Sequence, residues 1–505
     1  MISLSDDGSK IIHATVNEKV NLLNNYFSNV LNHNTDYEIK DDLNIDLNCT
    51  MEPLEIKQDD ILKRLSNLNI NKSAGYDGIH PRILKETAPY IAYPLFILFT
   101  QSLKCGQLPS DWKKANISAL HKKGRKNDVS NYRPISITCI LSKLFESIIR
   151  DSLMKYFMNN KLFSEKQFGF LPGRSTSLQL LNILDDWTQR LEAGGQVDVV
   201  YTDLEKAFDK VPHRLLLYKL KKYNVDPQIL KWIDSFLVGR VQRVVIDGTG
   251  SGWCDVISGI SQGFVLGPFL FLVYINDLVK FCQSNNGAIV YLYADDTKIY
   301  NYVSCDSDRK VLQETLNLMV SWINDYLLRL NVDKCKHVSY GRNVDNSSEY
   351  FIDGHKLETL CSYKDLGVLF DTKLGFNQHI MDKVNKAYSM LGIIKRNFVN
   401  LSHFSFLCLY KTMVRSHLEY AVCVWCPCRK ELVEIMERVQ MRATKLLPGL
   451  KNLSYSERLK ILKLPTLKYR RMRGDVIEMY KIVHGIYDEN VSLKLEYVPY
   501  NNFTW

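Results

Sequence analysis

Val290-Tyr291-Leu292-Tyr293-Ala294-Asp295-Asp296-Thr297-Lys298-Ile299-Tyr300-Asn301-Tyr302 sets two strand-like runs on either side of a pair of carboxylates. Residues 290–293 lead in and residues 298–302 lead out, both rich in β-branched and aromatic side chains. The pattern predicts a β-hairpin with Asp295 and Asp296 together at its tight turn. Asp is a common turn residue, so the pair alone carries little. A third carboxylate gives it weight. Asp203 closes the run Val197-Asp198-Val199-Val200-Tyr201-Thr202, which reads as an alternating strand. Carboxylates brought from different strands to one point form a hard-oxygen site suited to two Mg2+ ions. Two such ions, about 3.5–4 Å apart, activate an attacking 3′-oxygen and neutralise a leaving pyrophosphate, as nucleotidyl transfer requires.

The surroundings of these carboxylates extend the pattern. Asp203 opens Asp203-Leu204-Glu205-Lys206-Ala207-Phe208-Asp209-Lys210-Val211-Pro212-His213. Between it and Tyr293-Ala294-Asp295-Asp296 lies Gly259-Ile260-Ser261-Gln262-Gly263-Phe264-Val265-Leu266-Gly267-Pro268. Upstream stand Lys72-Ser73-Ala74-Gly75-Tyr76-Asp77-Gly78-Ile79, Asn131-Tyr132-Arg133-Pro134-Ile135-Ser136 and Gln167-Phe168-Gly169-Phe170-Leu171-Pro172-Gly173-Arg174-Ser175-Thr176. Downstream come Leu330-Asn331-Val332-Asp333-Lys334-Cys335-Lys336 and Tyr363-Lys364-Asp365-Leu366-Gly367-Val368. Each motif alone is weak, but as an ordered set they are specific. The set resembles reverse transcriptases of non-LTR (LINE-type) retrotransposons, the jockey-like group in particular, and it covers roughly residues 70–480. Two positions depart from the family pattern. Ser261 stands where the family usually has Pro, and Phe264 where it usually has Ser, which would set a bulky ring beside the nucleotide pocket.

The resemblance implies an α+β right-hand polymerase with fingers, palm and helical thumb, followed by a helical C-terminal region. It implies RNA-directed DNA synthesis from a primer 3′-OH, with an RNA template, a DNA primer or target DNA, and deoxynucleoside triphosphates as partners. Asp203 and Asp295 are then the shared ligands of two Mg2+ ions, with Mn2+ able to substitute, and Asp296 is the adjacent, less essential carboxylate. Lys122, Lys123 and Arg133 are candidates for the triphosphate, since Arg offers a planar fork and Lys a point charge. Which of the two lysines points inward is open. Gln262 is placed against nucleotide or template, and Phe208 abuts the sugar 2′ position. A core aromatic is the plainer reading of Phe208. Lys334 or Lys336 would protonate pyrophosphate, or is a solvated loop lysine. Residues 363–368 resemble a primer-grip hairpin. The family's setting is intracellular, a cytoplasmic ribonucleoprotein and the nucleus. The family usually carries an N-terminal endonuclease, for which residues 1–71 are too few; a truncated copy or a piece of a longer reading frame is expected. The rival readings are a co-opted copy that binds nucleic acid without polymerising, and an RNA-directed RNA polymerase, which Phe208 and the motif order disfavour.

Bulk properties permit these readings. The 505 residues, 46% hydrophobic, allow a sizeable core and more than one subdomain. A formal charge of +10 allows nucleic-acid binding without establishing it. Basic residues cluster at Lys122-Lys123-Gly124-Arg125-Lys126 and at Lys468-Tyr469-Arg470-Arg471-Met472-Arg473. The 12 cysteines are expected to be reduced and largely buried, with Cys423, Cys426 and Cys428 as core thiols. Asp6 and Asp7 near the start argue against a secretory leader, and residues 264–275, the longest apolar stretch, are too short for a bilayer, so no membrane partner is expected.

Along the chain, residues 1–55 read as a poorly specified extension with an amphipathic hint at 20–31, residues 56–195 as fingers and pre-palm, and 196–370 as palm. The polymerase core spans about 103–371. Residues 371–450 form the helical thumb and 451–505 a C-terminal helical region. Helices are predicted at 213–222, 227–237 and 311–330, and a strand at 240–246 turned by Asp247-Gly248. Ile380, Val384, Ala387, Leu391 and Ile394 form one helical stripe, with Lys383, Lys386, Lys395 and Arg396 read as a basic opposite face. The oligomeric state is not legible.

Overall fold

In the computed structural model residues 15–32, 37, 39, 47–283, 287–345 and 347–495 are described. Asp6 and Asp7 lie outside the described residues. The chain divides into two compact units that interleave in sequence. The first comprises Met1–Ser164, Asp203–Phe281 and Leu318–Asn331, and the second Glu165–Thr202, Cys282–Asn317 and Val332–Trp505. Both mix helices with sheet.

In the first unit, Lys114–His121 pairs antiparallel with Tyr132–Ile137 and parallel with Arg240–Ile246. Asp247 and Gly248 both have positive φ (49° and 81°), the turn expected after that last strand. One face of this sheet buries Ala115, Ile117 and Val244 against Val20, Leu23 and Phe27 of the helix Val16–Asn29. Part of the segment read as poorly specified is therefore a capped helix. The Thr15 and Glu18 side chains cap each other's backbone N–H groups, a reciprocal pair that fixes the helix start. Helices His213–Lys222 and Pro227–Leu237 match the expected bounds, the second capped by Asp226. The apolar stretch after Phe264 yields the nine-residue helix Gly267–Ile275, buried all round. Among the described residues no helix is long and apolar enough to cross a membrane.

The second unit is built on a five-stranded sheet in the order Glu358–Thr359, Lys336–Tyr340, Gln196–Thr202, Asp296–Val303 and Ile289–Tyr293. All pairings but the first are antiparallel. The helix Thr176–Glu192 supplies Leu178, Leu180, Ile183 and Trp187 to a core shared with Val197, Val199, Tyr300 and Tyr340. Gln196–Thr202 was expected to alternate, yet all seven residues are buried. A central strand covered on both faces loses the polar–apolar alternation. Its buried Asp198 is matched by donors: Tyr350 Oη at 2.8 Å and Gln196 Nε2 at 2.7 Å.

Two helices differ from their expected form. The predicted 311–330 helix runs Asp306–Asp325. Asp308 accepts hydrogen bonds from the Ser304 and Cys305 backbones and caps the start, a signal that apolar spacing does not contain. Leu327 (φ 54°) lies beyond the end, and Leu330 instead bridges to Leu204. The helix Asn377–Asn397 buries its expected apolar stripe. Lys383, however, is buried as well. Its ammonium donates to the Gly367 carbonyl at 3.1 Å, and burial lowers its pKa. Lys386 pairs with Asp382 at 2.7 Å. The exposed basic face thus loses Lys383 and keeps Lys395, Arg396 and the Lys386 side chain, whose charge is met by Asp382.

His379 on the same helix gives a pH test. Its Nδ1 accepts from the Leu369 backbone at 2.9 Å and its ring packs on Trp425. Burial, helped by the Lys383 charge, holds its pKa down at about 4. The folded chain keeps His379 neutral while the unfolded chain protonates it below about 6.5. This stability is therefore present above that pH and is lost as pH falls towards the folded value. From about pH 7.5 to pH 5 the loss is about 2 kcal/mol. Urea midpoints should show this slope, and His379→Asn, which keeps an acceptor but does not titrate, should flatten it.

Candidate active site

The predicted hairpin forms in the second unit. Ile289–Tyr293 and Asp296–Val303 pair with Tyr293 opposite Asp296. Ala294 and Asp295 are thus the two turn residues, and Asp296 opens the second strand instead of sharing the turn. Ala294 has φ 56°, a left-handed conformation that costs a non-glycine residue about 1–2 kcal/mol. A brace holds it there. Gln167 Oε1 accepts from the Ala294 backbone at 2.9 Å and from Gly169 at 2.7 Å. Phe168 N donates to Leu292 O, and Leu292 N to Lys166 O, both at 2.9 Å. The 166–168 segment thereby adds to the hairpin as a parallel edge. Gly169 is required by proximity: a Cβ there would sit 2.4 Å from the Ala294 nitrogen. Gln167 was missed as a site residue. The partner that matters for the hairpin, Ala294, is far away in sequence, so local spacing held no signal for it.

Thr202, the last residue of the strand Gln196–Thr202, pairs with Thr297. Asp203 is the next residue after Thr202, and Asp296 the one before Thr297. Asp295 is half-buried and Asp296 exposed.

A second hairpin of this unit pairs Ser362–Asp365 with Val368–Asp371. Its turn, Leu366 and Gly367, has φ values of 43° and 88°. Three side chains clamp it. Lys298, two residues beyond Asp296, forms a buried ion pair with Asp365. Tyr420 donates to the Leu366 carbonyl at 2.8 Å, and Lys383 to that of Gly367.

The first unit gathers another group. Phe208 is half-buried, with its ring stacked on Phe271 at 4.2 Å and 19°. Its carbonyl accepts from Ile260 N at 2.7 Å, and Val211 O accepts from Gly259 N at 2.8 Å. A Cβ on Gly259 would meet the Asp209 carbonyl at 2.4 Å, so only glycine allows these loops to approach. Gln262 offers its carbonyl to Ser136 N at 2.7 Å, tying the 259–268 loop to the strand that carries Arg133. Burial pushes Asp209 up to about 6, against the pull of Lys206, Arg133 and Lys210. Arg133 is exposed on its strand, opposite Leu120, and Lys122 and Lys123 are exposed in the loop that follows Lys114–His121. The Phe264 ring is turned into the core of the first unit. It is buried against Phe236 (5.0 Å) with the Arg240 guanidinium 4.5 Å from its ring centre. The buried Glu146 accepts from the Val265 backbone at 2.8 Å and helps fix this orientation. Ser261 keeps a partly exposed place in the loop.

The thiols also differ from expectation. Six of the 12 cysteines are exposed, Cys426 and Cys428 among them, and Cys423 is only half-buried. All 12 are free. Among the described residues no three His, Cys, Asp or Glu side chains gather closely enough to hold a metal ion. In chemistry the donors on offer, Asp203, Asp295 and Asp296, are all hard carboxylates, the type that Mg2+ takes.

The family described as "Reverse transcriptase (RNA-dependent DNA polymerase)" matches residues 120–394, more than half of the chain. The chain belongs to the reverse transcriptase family. It is 29% identical over 328 residues to the RNA-directed DNA polymerase from mobile element jockey of Drosophila melanogaster, which covers 64% of this chain and 36% of that protein. It is 27% identical over 364 residues to the probable RNA-directed DNA polymerase from transposon BS of the same species, covering 70% and 40%. It is 26% identical over 427 residues to the corresponding protein of transposon X-element, covering 82% and 46%. These relatives bear out the non-LTR, LINE-type branch indicated by the motifs. This reverse transcriptase chain spans less than half the length of each of the three.

Proposed function

We infer that this chain is an RNA-directed DNA polymerase that copies retrotransposon RNA from a primer 3′-OH. The observation that carries the reading is the register of the second unit's sheet. Thr202 pairs with Thr297, so the strand ending before Asp203 and the strand beginning with Asp296 are hydrogen-bonded neighbours. Family membership supports the same chemistry. In this reading the carboxylates lie in the palm of a right hand, residues 56–195 contribute the fingers and 371–450 the thumb.

Mg2+, or Mn2+ in its place, held by Asp203 and Asp295 with Asp296 adjacent, would activate the primer 3′-oxygen and neutralise pyrophosphate. The chain's own groups do the rest. Arg133 with Lys122 or Lys123 holds the triphosphate, and Gln262 orients nucleotide or template. Phe208 closes the space of a 2′-OH. Lys334 or Lys336 passes a proton to the leaving group. The 362–371 hairpin, clamped by Lys298, Tyr420 and Lys383, fixes the primer end. The partners are an RNA template, a DNA primer or target DNA and deoxynucleoside triphosphates, met in a cytoplasmic ribonucleoprotein and in the nucleus. The inward packing of Phe264 against Phe236 and Arg240 supports the polymerase reading over the non-polymerising alternative.

Primer extension on an RNA template with Mg2+ tests the reading. Incorporation of deoxynucleotides is expected; a folded chain that binds primer–template and extends nothing would favour the binding-only alternative.

A further inference from the structure

The first unit's sheet has one face packed on the helix Val16–Asn29 and one open face, half-buried to exposed among the described residues. Strand parity puts Lys114, Asn116, Ser118 and Leu120 on the open face. Arg243 lies opposite Asn116 and donates to its Oδ1 from Nε at 2.9 Å. Beside it, Tyr76 and Trp253 meet edge to face, with ring centres 5.3 Å apart at 79°. The Arg243 guanidinium lies 4.7 Å from the Trp253 ring centre and 5.6 Å from that of Tyr76. The Lys114 ammonium is 5.2 Å from the Tyr76 ring. Trp253 remains 39% exposed.

This cluster is built, and does not result from loose surface packing. The loop carrying Trp253 is pinned from below. Asn24, itself 2% exposed, donates to Gly252 O at 2.9 Å. Ser251 N donates to Val244 O at 2.9 Å, and Val244 N to Ser251 Oγ at 3.0 Å. A large aromatic side chain is thus held partly in water with its orientation fixed, a cost that a stacking partner would offset.

We propose that Tyr76, Trp253, Arg243 and Lys114 form a platform for single-stranded nucleic acid, the unpaired template ahead of the polymerisation site. Exposed aromatic rings interleaved with cations stack bases and neutralise phosphates together. A duplex presents its stacked bases to no such ring. A protein partner could also use Trp, Tyr and Arg. The charge decides against it: Arg133 faces the same side of the sheet opposite Leu120, and Lys122 and Lys123 follow in the adjoining loop, so with Lys114 and Arg243 the cations outnumber the acids of this face, Asp111, paired with Lys114 at 3.0 Å, and Asp255, opposite Val241. Four residues along the strand and two strands across separate Arg243 from Arg133, roughly 16 Å by strand spacing. That is a few nucleotides from the proposed triphosphate contact. The identity of the strand rests on the polymerase reading.

The test uses the full chain and two primer–template duplexes. One carries a template overhang of about eight nucleotides, within the site sizes of such platforms, and the other is blunt. Trp253→Ala should weaken binding of the overhang duplex by roughly 10-fold, the loss of one stacked base. It should leave the blunt duplex within about twofold. Trp253→Phe, which keeps a ring, should retain most of the affinity, and Tyr76→Ala should act in the same direction as Trp253→Ala. Thermal midpoints confirm that each variant is folded. Equal losses on both duplexes, or no loss on either, would overturn the platform. Because binding is read without turnover, an overhang preference that depends on Trp253 in a chain that never extends a primer would leave the platform standing and sink only the polymerase reading.

Discussion

Asp203→Asn and Asp295→Asn should each lower primer extension by at least about 100–1,000-fold while leaving the chain folded. Each change removes one charged metal ligand and keeps nearly the same shape. The loss falls on the step at which charge develops, where one electrostatic contact is worth that factor or more. The local structure makes the comparison clean. The turn at Ala294 is held by Gln167, by the close approach of Gly169 and by the pairing of Tyr293 with Asp296, and these bonds run through the backbone at Ala294. Asp296→Asn should be milder, because Asp296 is exposed at the start of its strand while Asp295 occupies the turn. Extension rates, with thermal midpoints as a control, check all three. Parent-like extension by either of the first two variants would remove that residue from the metal site.

The hairpin was legible because its two runs alternate around a short turn and because the ordered motifs constrained what it could be. The brace was not. Gln167 reaches Ala294 from a distant part of the chain, and a Gln in a loop has no period to betray it. Lys383 shows a different limit. Helical spacing sets it beside an apolar stripe, but a long side chain can turn inward when a carbonyl such as that of Gly367 needs a donor. Phe264 shows the same limit at a motif position: its place in the motif suggested the pocket, while Phe236 and Arg240 hold its ring in the core. The Asp306–Asp325 helix was displaced because apolar residues mark its buried face and acidic caps mark its start. For the brace, Lys383 and Phe264 the missing information was a tertiary partner, which local pattern does not encode; for the helix it was a local cap, which apolar spacing alone does not show.

Phe208→Ala is expected to raise ribonucleotide use relative to deoxynucleotide use by roughly 10–200-fold, the discrimination available from one steric clash of about 1–3 kcal/mol. The structure sharpens this expectation. The Phe208 ring stacks on the fully buried Phe271, and its carbonyl is tied to Ile260, so its position is fixed on one side by the core. It is nevertheless only half-buried, which leaves part of the ring able to meet a substrate. A residue placed in this way should act as both support and gate, and the two roles are separable. Loss of the stack should cost about 2 kcal/mol, less than the 3–5 kcal/mol of a fully buried Phe, since only part of the ring is removed from water. That cost lowers the thermal midpoint but weighs equally on both nucleotides. A gate changes their ratio. Phe208→Tyr, which keeps the ring, should preserve both stability and discrimination; Phe208→Leu should recover part of the stability and little of the discrimination. Incorporation of both nucleotide types, measured beside the midpoint, separates these effects. If Phe208→Ala stays folded and its preference for deoxynucleotides is unchanged, the residue is a core aromatic only, and the sugar must be read elsewhere in the first unit.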